Sequence, residues 1–91
     1  MGNIEERFAE WRQSNPLRQW REANGVSVAS VAAATGVSLN MVVKWENGSN
    51  TPSTETMQAV AELMGVPKAE LEQAWAGWRA QARDVWKQRY R

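Results

Sequence analysis

Apolar residues recur along this chain at the three- and four-residue spacing of amphipathic helices, in segments separated by Asn, Gly and Pro. In the first segment Ile4, Phe8 and Trp11 are four and then three residues apart, so they share one face of a short helix. Asn15-Pro16 ends this segment and opens the next, because Asn caps a helix and Pro fits its first turn. No alternating strand pattern is present in the sequence.

The middle of the chain contains two short helical segments joined by a tight turn. Ser27 caps the segment "VASVAAAT", Ser38 caps "LNMVVKWE", and Gly36 supplies the turn between them. Two helices of about eight residues joined in this way form a helix-turn-helix, whose second helix can enter a DNA major groove. Because any small helical bundle has short turns, the spacing alone is a moderate indication.

The remaining segments are helical in pattern as well. The chain after Pro16 is predicted to be a helix that runs to about Ala23 and ends at Asn24-Gly25. A later helix opens at Pro52-Ser53, and the last runs from about residue 68 towards residue 90 with a heptad-like apolar face. The inward-facing positions predicted after residue 27 are Val31, Ala32, Val42, Trp45, Met57, Val60, Ala61, Met64, Leu71, Trp75, Trp78, Ala82 and Val85.

Composition excludes several kinds of site. The 91 residues, 43% hydrophobic and 23% charged, correspond to one globular domain with a modest core. Cysteine and histidine are absent, which excludes disulfides, thiolate metal sites and a histidine general base. No apolar run approaches the roughly 20 residues that span a bilayer, and the acidic start differs from a signal peptide. We therefore expect a cytoplasmic protein that is not an enzyme, with no cofactor, membrane or small-molecule partner.

Charge is distributed unevenly, although the net charge is +1. Residues 1–14 hold two basic and three acidic side chains, residues 15–73 hold four and six, and residues 74–91 hold five and one. We divide the domain accordingly into an N-terminal helix (1–14), a helix-turn-helix core (15–73) and a basic, Trp-rich extension (74–91). In the extension Arg79, Arg83, Lys87 and Arg91 repeat every four residues. This stripe fits a solvated helix flank or a surface that follows DNA phosphates.

The extension also contains aromatic residues at helical spacing. Trp75, Trp78 and Trp86 are expected to bury against the N-terminal helix or against the same helix of a second chain. Aromatic residues in this pattern normally form a packing surface, so they do not indicate a cofactor.

From Leu17 to Leu71 the sequence resembles the Cro/repressor-type helix-turn-helix family, also called XRE or lambda-repressor-like. The resemblance implies an all-α fold, a five-helix bundle of this type with the last helix extended and an N-terminal helix added. Many landmarks at the family's spacing make the resemblance specific. They are Leu17, Arg21, Ser27, Val31-Ala32, Gly36-Val37-Ser38, Val42, Trp45-Glu46, Gly48, Pro52-Ser53, Ala61 and residues 63–66.

The resemblance implies structural roles for the end of the fourth helix. In the family the aromatic at Trp45 packs in the core beneath the recognition helix, and the Glu at position 46 pairs with the Arg at position 21. The physical chemistry agrees, because Trp can bury on the order of 200 Å². A partly buried carboxylate also needs a cationic partner to offset a desolvation cost of about several kcal/mol. Arg21 and Glu46 are therefore expected to form a structural ion pair.

The resemblance also places DNA contacts on a recognition helix at about residues 38–46. Base contacts are expected from Leu39, Asn40 and Lys44, since an Asn amide suits adenine, Lys suits guanine and Leu can meet a thymine methyl. A solvated helix face is the competing interpretation of Asn40 and Lys44. The residues expected to contact the DNA backbone are Ser27, Ser38, Met41, Asn47, Ser49 and Asn50.

Departures from the family's usual residues support a second interpretation. Val28 stands where the family commonly has a DNA-contacting Gln, and Leu39, Met41 and Val43 are apolar where polar or basic residues are usual. We predict a sequence-specific, repressor-type DNA-binding regulator of bacterial or phage origin. It would form a homodimer through the N-terminal or C-terminal helix, because one recognition helix buries too little surface to be selective. The alternative is a protein-interaction module that uses its apolar recognition face.

Overall fold

The computed structural model describes residues 3–89, and six α-helices occupy most of this range. No strand is present between residues 3 and 89, and the predicted all-α class is confirmed. The helices are α1 (Ile4–Gln13), α2 (Pro16–Ala23), α3 (Val28–Thr35), α4 (Leu39–Asn47), α5 (Thr54–Met64) and α6 (Lys68–Arg89).

Local side-chain caps determine where the first five helices begin. The capping residues are Asn3, Asn15, Ser27, Ser38 and Ser53, and each accepts a hydrogen bond from the backbone N–H three residues later at 2.9 to 3.3 Å. Each cap satisfies one of the N–H groups that a helix leaves without an internal partner. The starts at Asn15, Ser27, Ser38 and Ser53 agree with the predictions from the sequence, which named no cap for α1.

One core lies between α2, α3, α4, α5 and the first half of α6. Val31 and Val42 are fully buried in it, and Trp45 and Trp75 are almost so. The predicted inward positions are confirmed, except that Met64, Ala82 and Val85 are only partly buried. The buried apolar set is Leu17, Val31, Ala32, Val42, Trp45, Met57, Val60, Ala61, Leu71, Trp75 and Trp78.

Helix α1 packs on the middle of α6 through a pair of tryptophans. The rings of Trp11 and Trp78 are stacked with centroids 4.2 Å apart and planes at 6°. Each indole N–H donates to the other residue's carbonyl, at 2.6 Å for Trp11 and 2.7 Å for Trp78. The expected packing of α6 tryptophans on α1 is therefore confirmed for Trp78.

The other two tryptophans of α6 are placed differently. Trp75 lies in the main core and contacts the edge of Trp78 with ring centroids 6.0 Å apart. Trp86 contacts Phe8 at a centroid distance of 5.4 Å, but its side chain remains 43% exposed. The predicted packing of Trp86 on α1 is therefore confirmed at Phe8, but α1 buries this residue only in part, and its burial against a second chain stays a prediction.

The bend between α3 and α4 gives the central motif its shape. Their axes are bent by 112° at the junction, within the range of about 90 to 120° typical of a helix-turn-helix. No single helix between residues 3 and 89 has the length and apolar character needed to cross a membrane. Only α3 and α4 taken together reach that length and composition, across the sharp bend.

Candidate nucleic-acid interface

The turn between α3 and α4 is set by local backbone geometry. Gly36 adopts a left-handed conformation with φ 74°, and its N–H donates to the Ala32 carbonyl at 2.9 Å. The Val37 N–H donates to the same carbonyl at 3.2 Å. Ser38 then caps α4 by accepting from the Met41 N–H at 3.1 Å. The chain thus bends by 112° within three residues, Gly36 to Ser38.

Helix α4 has one face in the core and the opposite face in solvent. Val42 and Trp45 are buried, and Asn15 donates from Nδ2 to the Trp45 carbonyl at 3.5 Å. Because a helix repeats every 3.6 residues, the positions between these point outward. The outward side chains are Leu39, Asn40, Val43 and Lys44, all exposed.

An ion pair between Arg21 and Glu46 holds the end of α4 against α2. The guanidinium is bidentate, with Nε donating to Oε2 and Nη2 to Oε1, both at 2.8 Å. Nη1 also donates to the Val26 carbonyl at 3.2 Å, so the same side chain fixes the loop between α2 and α3. The hydrogen bond that Arg21 donates to Glu46 raises the pKa of Arg21 above its ordinary value, with burial acting in the opposite sense. Arg21 therefore keeps its positive charge at neutral pH.

The loop after α4 brings polar groups to the end of its exposed face. Asn47 accepts the Ser49 N–H through Oδ1 at 2.9 Å, and the Asn50 N–H donates to the Lys44 carbonyl at 3.2 Å. The Asn50 amide also approaches the sulfur of Met41 at 3.6 Å. Asn47, Ser49 and Asn50 are exposed, so the loop continues the outward surface of α4.

The remaining predicted backbone contacts lie at helix starts or at the edge of the core. Ser27 and Ser38 are exposed, and their hydroxyl oxygens cap α3 and α4. Met41 is only partly exposed and packs against the core. Val28, at the position where the family usually has Gln, also packs against the core.

Basic side chains of α1 and α6 adjoin the same loop. Arg79 donates from Nη1 to the Gly48 carbonyl at 2.9 Å, and Arg12 and Arg83 line the cleft beside it. Lys87 is exposed one turn further along α6, and Arg91 lies outside the described residues. The sequence stripe included Arg79 and Arg83 but missed Arg12, because its position depends on how α1 docks. The one sequence signal near Arg12 was Gly48. The Trp11 ring, next to Arg12 in the chain, lies against this glycine.

No group of three or more acidic side chains that could hold a metal ion is present in the part of the chain that the structure describes. The arrangement instead presents one exposed helix face and one polar loop on a rigid support.

This fold and its 112° bend define a small helix-turn-helix protein. A family model described as helix-turn-helix matches residues 17–71, more than half of the chain. The protein therefore belongs to the XRE-type helix-turn-helix family of DNA-binding proteins.

A search of curated proteins gives a relative of named function. The chain is 34% identical over 58 residues to the cryptic phage CTXphi transcriptional repressor RstR of Vibrio cholerae. The similarity covers 64% of this chain and 52% of the repressor, so the chain matches about half of that relative's length. No solved structure matches the chain significantly.

Proposed function

We propose that this protein binds double-stranded DNA in a sequence-specific manner, with α4 in the major groove, as a repressor-type transcriptional regulator of bacterial or phage origin. The observation that carries the proposal is that α4 has a buried inner face and an exposed outer face. Val42, Trp45 and Glu46 are buried, whereas Asn40 and Lys44 are exposed beside each other on the outer face. The similarity to a phage repressor supports the same function.

The outer face has the chemistry for reading bases. Asn40 can make two hydrogen bonds with the N6 and N7 groups of adenine, and Lys44 can donate to the O6 and N7 acceptors of guanine. Leu39 offers apolar contact, for example to a thymine methyl group. At the two ends of α4, we expect Ser38 and the polar residues Asn47, Ser49 and Asn50 to contact phosphates and set the register. Ser27, at the start of α3, and Met41 complete the proposed backbone contacts.

A homodimer follows from the size of this surface. Helix α4 has nine residues, and one such helix reads too few base pairs to be selective in a genome. Two copies about 34 Å apart would read the two halves of a palindrome. We propose α1, α6 or both as the dimer contact.

The test is selection of bound duplexes from a random pool, followed by variants of the outer face. We expect the protein to enrich a palindrome. Asn40→Ala combined with Lys44→Ala should abolish specific binding, because each good base contact contributes about 1–3 kcal/mol of discrimination. The double variant should keep the helical circular dichroism and unfolding midpoint of the original protein.

A matched control changes the same kinds of side chain elsewhere. Gln73→Ala with Lys68→Ala removes one amide and one lysine from the start of α6, and it should retain affinity and selectivity. If the Asn40/Lys44 double variant also retains both, the proposed DNA-binding face is wrong.

The exposed apolar residues of α4 favour a second candidate, a protein-interaction module on the same scaffold. Leu39 and Val43 are 48% and 42% exposed and lie four residues apart on one face of α4, and adjoining exposed apolar side chains can mark a protein-interaction site. The two functions separate when the protein is titrated with random-sequence duplex at low and then moderate salt. DNA binding predicts affinity that falls as salt increases, whereas the absence of binding at both concentrations would favour the protein partner.

A further inference from the structure

A cleft of about 560 Å³ lies between α1, the α4–α5 loop and α6. Three arginines line it, Arg12 from α1 and Arg79 and Arg83 from α6, together with the loop residues Asn47 and Ser49. The cleft therefore borders the outer surface of α4 at its C-terminal end, although two of its walls come from outside the helix-turn-helix core.

The charge of the cleft is unbalanced. Its lining includes no carboxylate. By contrast, the two arginines of α2, Arg18 and Arg21, are each paired with a Glu. Arg12 and Arg83 make no ion pair within the described residues, and Arg79 donates only to the Gly48 carbonyl. Three guanidinium groups that converge on one open cleft repel one another and attract an anion.

The chemistry and position of the cleft suit a phosphate. Guanidinium groups bind phosphate through paired N–H donors, and the loop side chains Asn47 and Ser49 add neutral hydrogen-bonding groups. Lys44 is the one basic side chain among the exposed residues of α4, so the recognition helix attracts DNA weakly by itself. The cleft places three more cationic groups directly beside it.

We propose that this cleft binds a phosphate of the DNA backbone, just outside the base pairs that α4 reads. Arg12 and Arg83 bind the phosphate, while Arg79 positions the loop through the Gly48 carbonyl. The inference rests on the proposed DNA binding, and it gives α1 and the extension of α6 a function in it. A free phosphate ion offers the same chemistry, so the experiment has to separate the two sources.

The first measurement is the salt dependence of affinity for the selected duplex. Arg12→Gln with Arg83→Gln removes two phosphate contacts, and each contact contributes about 0.9 to the slope of log affinity against log salt. The slope of the variant should therefore be shallower by about 1.8. The ratio of the original protein's affinity to the variant's should then grow roughly 12-fold as potassium chloride falls from about 0.4 to about 0.1 M. The sequence preference should not change, because α4 is intact.

The control variant, Arg7→Gln with Lys68→Gln, removes the same charge from positions outside the cleft. Its slope should stay close to that of the original protein. Equal slopes for the cleft variant and the original protein would overturn the inference while leaving the proposed function in place. Failure of the original protein to select any duplex would overturn both.

The second measurement identifies the source of the phosphate. Shortening the selected duplex at both ends should weaken DNA binding by the original protein but have little further effect on binding by the cleft variant. The shorter duplex and the arginine substitutions remove the same phosphate contact, so their effects should not add. In parallel, inorganic phosphate is added at constant ionic strength while the indole N–H signals of Trp11 and Trp86 are followed by NMR. A response to inorganic phosphate, combined with equal DNA slopes, would assign the cleft to free phosphate and overturn the DNA-backbone source.

Discussion

Replacing Gly48 by alanine perturbs the contact between the end of α4 and the N-terminal helix. Gly48 ends α4 in a left-handed conformation with φ 87°. An added Cβ would lie 2.9 Å from Cζ3 of Trp11 and closer still to its Cη2. The Trp11 ring cannot simply move aside, because it is stacked on Trp78 at 4.2 Å and joined to it by two hydrogen bonds.

Two energetic contributions follow from this geometry. The left-handed conformation costs a non-glycine residue about 1–2 kcal/mol. Displacing Trp11 would also weaken an aromatic pair worth about 0.5–1.5 kcal/mol and two hydrogen bonds worth about 1 kcal/mol each. We therefore expect Gly48→Ala to lower the free energy of unfolding by about 3.5–5.5 kcal/mol in total.

Gly36 provides the matched control. It ends α3 with φ 74°, and a Cβ at this position would meet no atom within 4 Å. Gly36→Ala should therefore cost only the backbone contribution of about 1–2 kcal/mol. The difference between the two variants measures the collision with Trp11.

Urea unfolding followed by circular dichroism gives these free energies. A cycle with Trp11→Ala tests the cause, since removal of the ring should recover about 2.5–3.5 kcal/mol in the double variant relative to the sum of the single changes. If Gly48→Ala costs the same as Gly36→Ala within about 0.5 kcal/mol, and the cycle is additive, the reasoning is refuted.

Two other predictions concern ion pairs. Glu46→Ala should lower the free energy of unfolding by about 3 kcal/mol, because it leaves the largely buried Arg21 without its partner. Glu22→Ala should have a smaller effect, since the pair of Glu22 with Arg18 is exposed. Urea unfolding of both variants checks this prediction, and equal losses would contradict it. The hydrogen bond from Arg18 lowers the pKa of Glu22 below its ordinary value, so the contribution of this pair is present at neutral pH and disappears as the pH falls through the lowered value. The difference in unfolding midpoint between the original protein and Glu22→Gln should accordingly vanish in acid, and a difference that persists there would show that it has another origin.

The sequence by itself determined the helices and most of the core. The caps at Ser27 and Ser38 act on N–H groups only three residues away, so their effect can be read from neighbouring residues. The inward positions Val31 and Val42 follow from the 3.6-residue period in the same way. The pairing of Arg21 with Glu46 crosses 25 residues, and it came from the resemblance to a family, not from periodicity.

Only the tertiary structure decided how α1 and α6 are used. Trp78 and Trp86 belong to the same helix. Trp78 stacks on Trp11 and is buried, whereas Trp86 contacts Phe8 and is 43% exposed. Arg12 joins Arg79 and Arg83 in one cleft, although more than 60 residues separate Arg12 from the other two in the sequence. A helix's period states which residues share a face, but the partner of that face depends on how the helices dock. That docking rests on the specific contact between Trp11, Trp78 and Gly48, which no local pattern encodes.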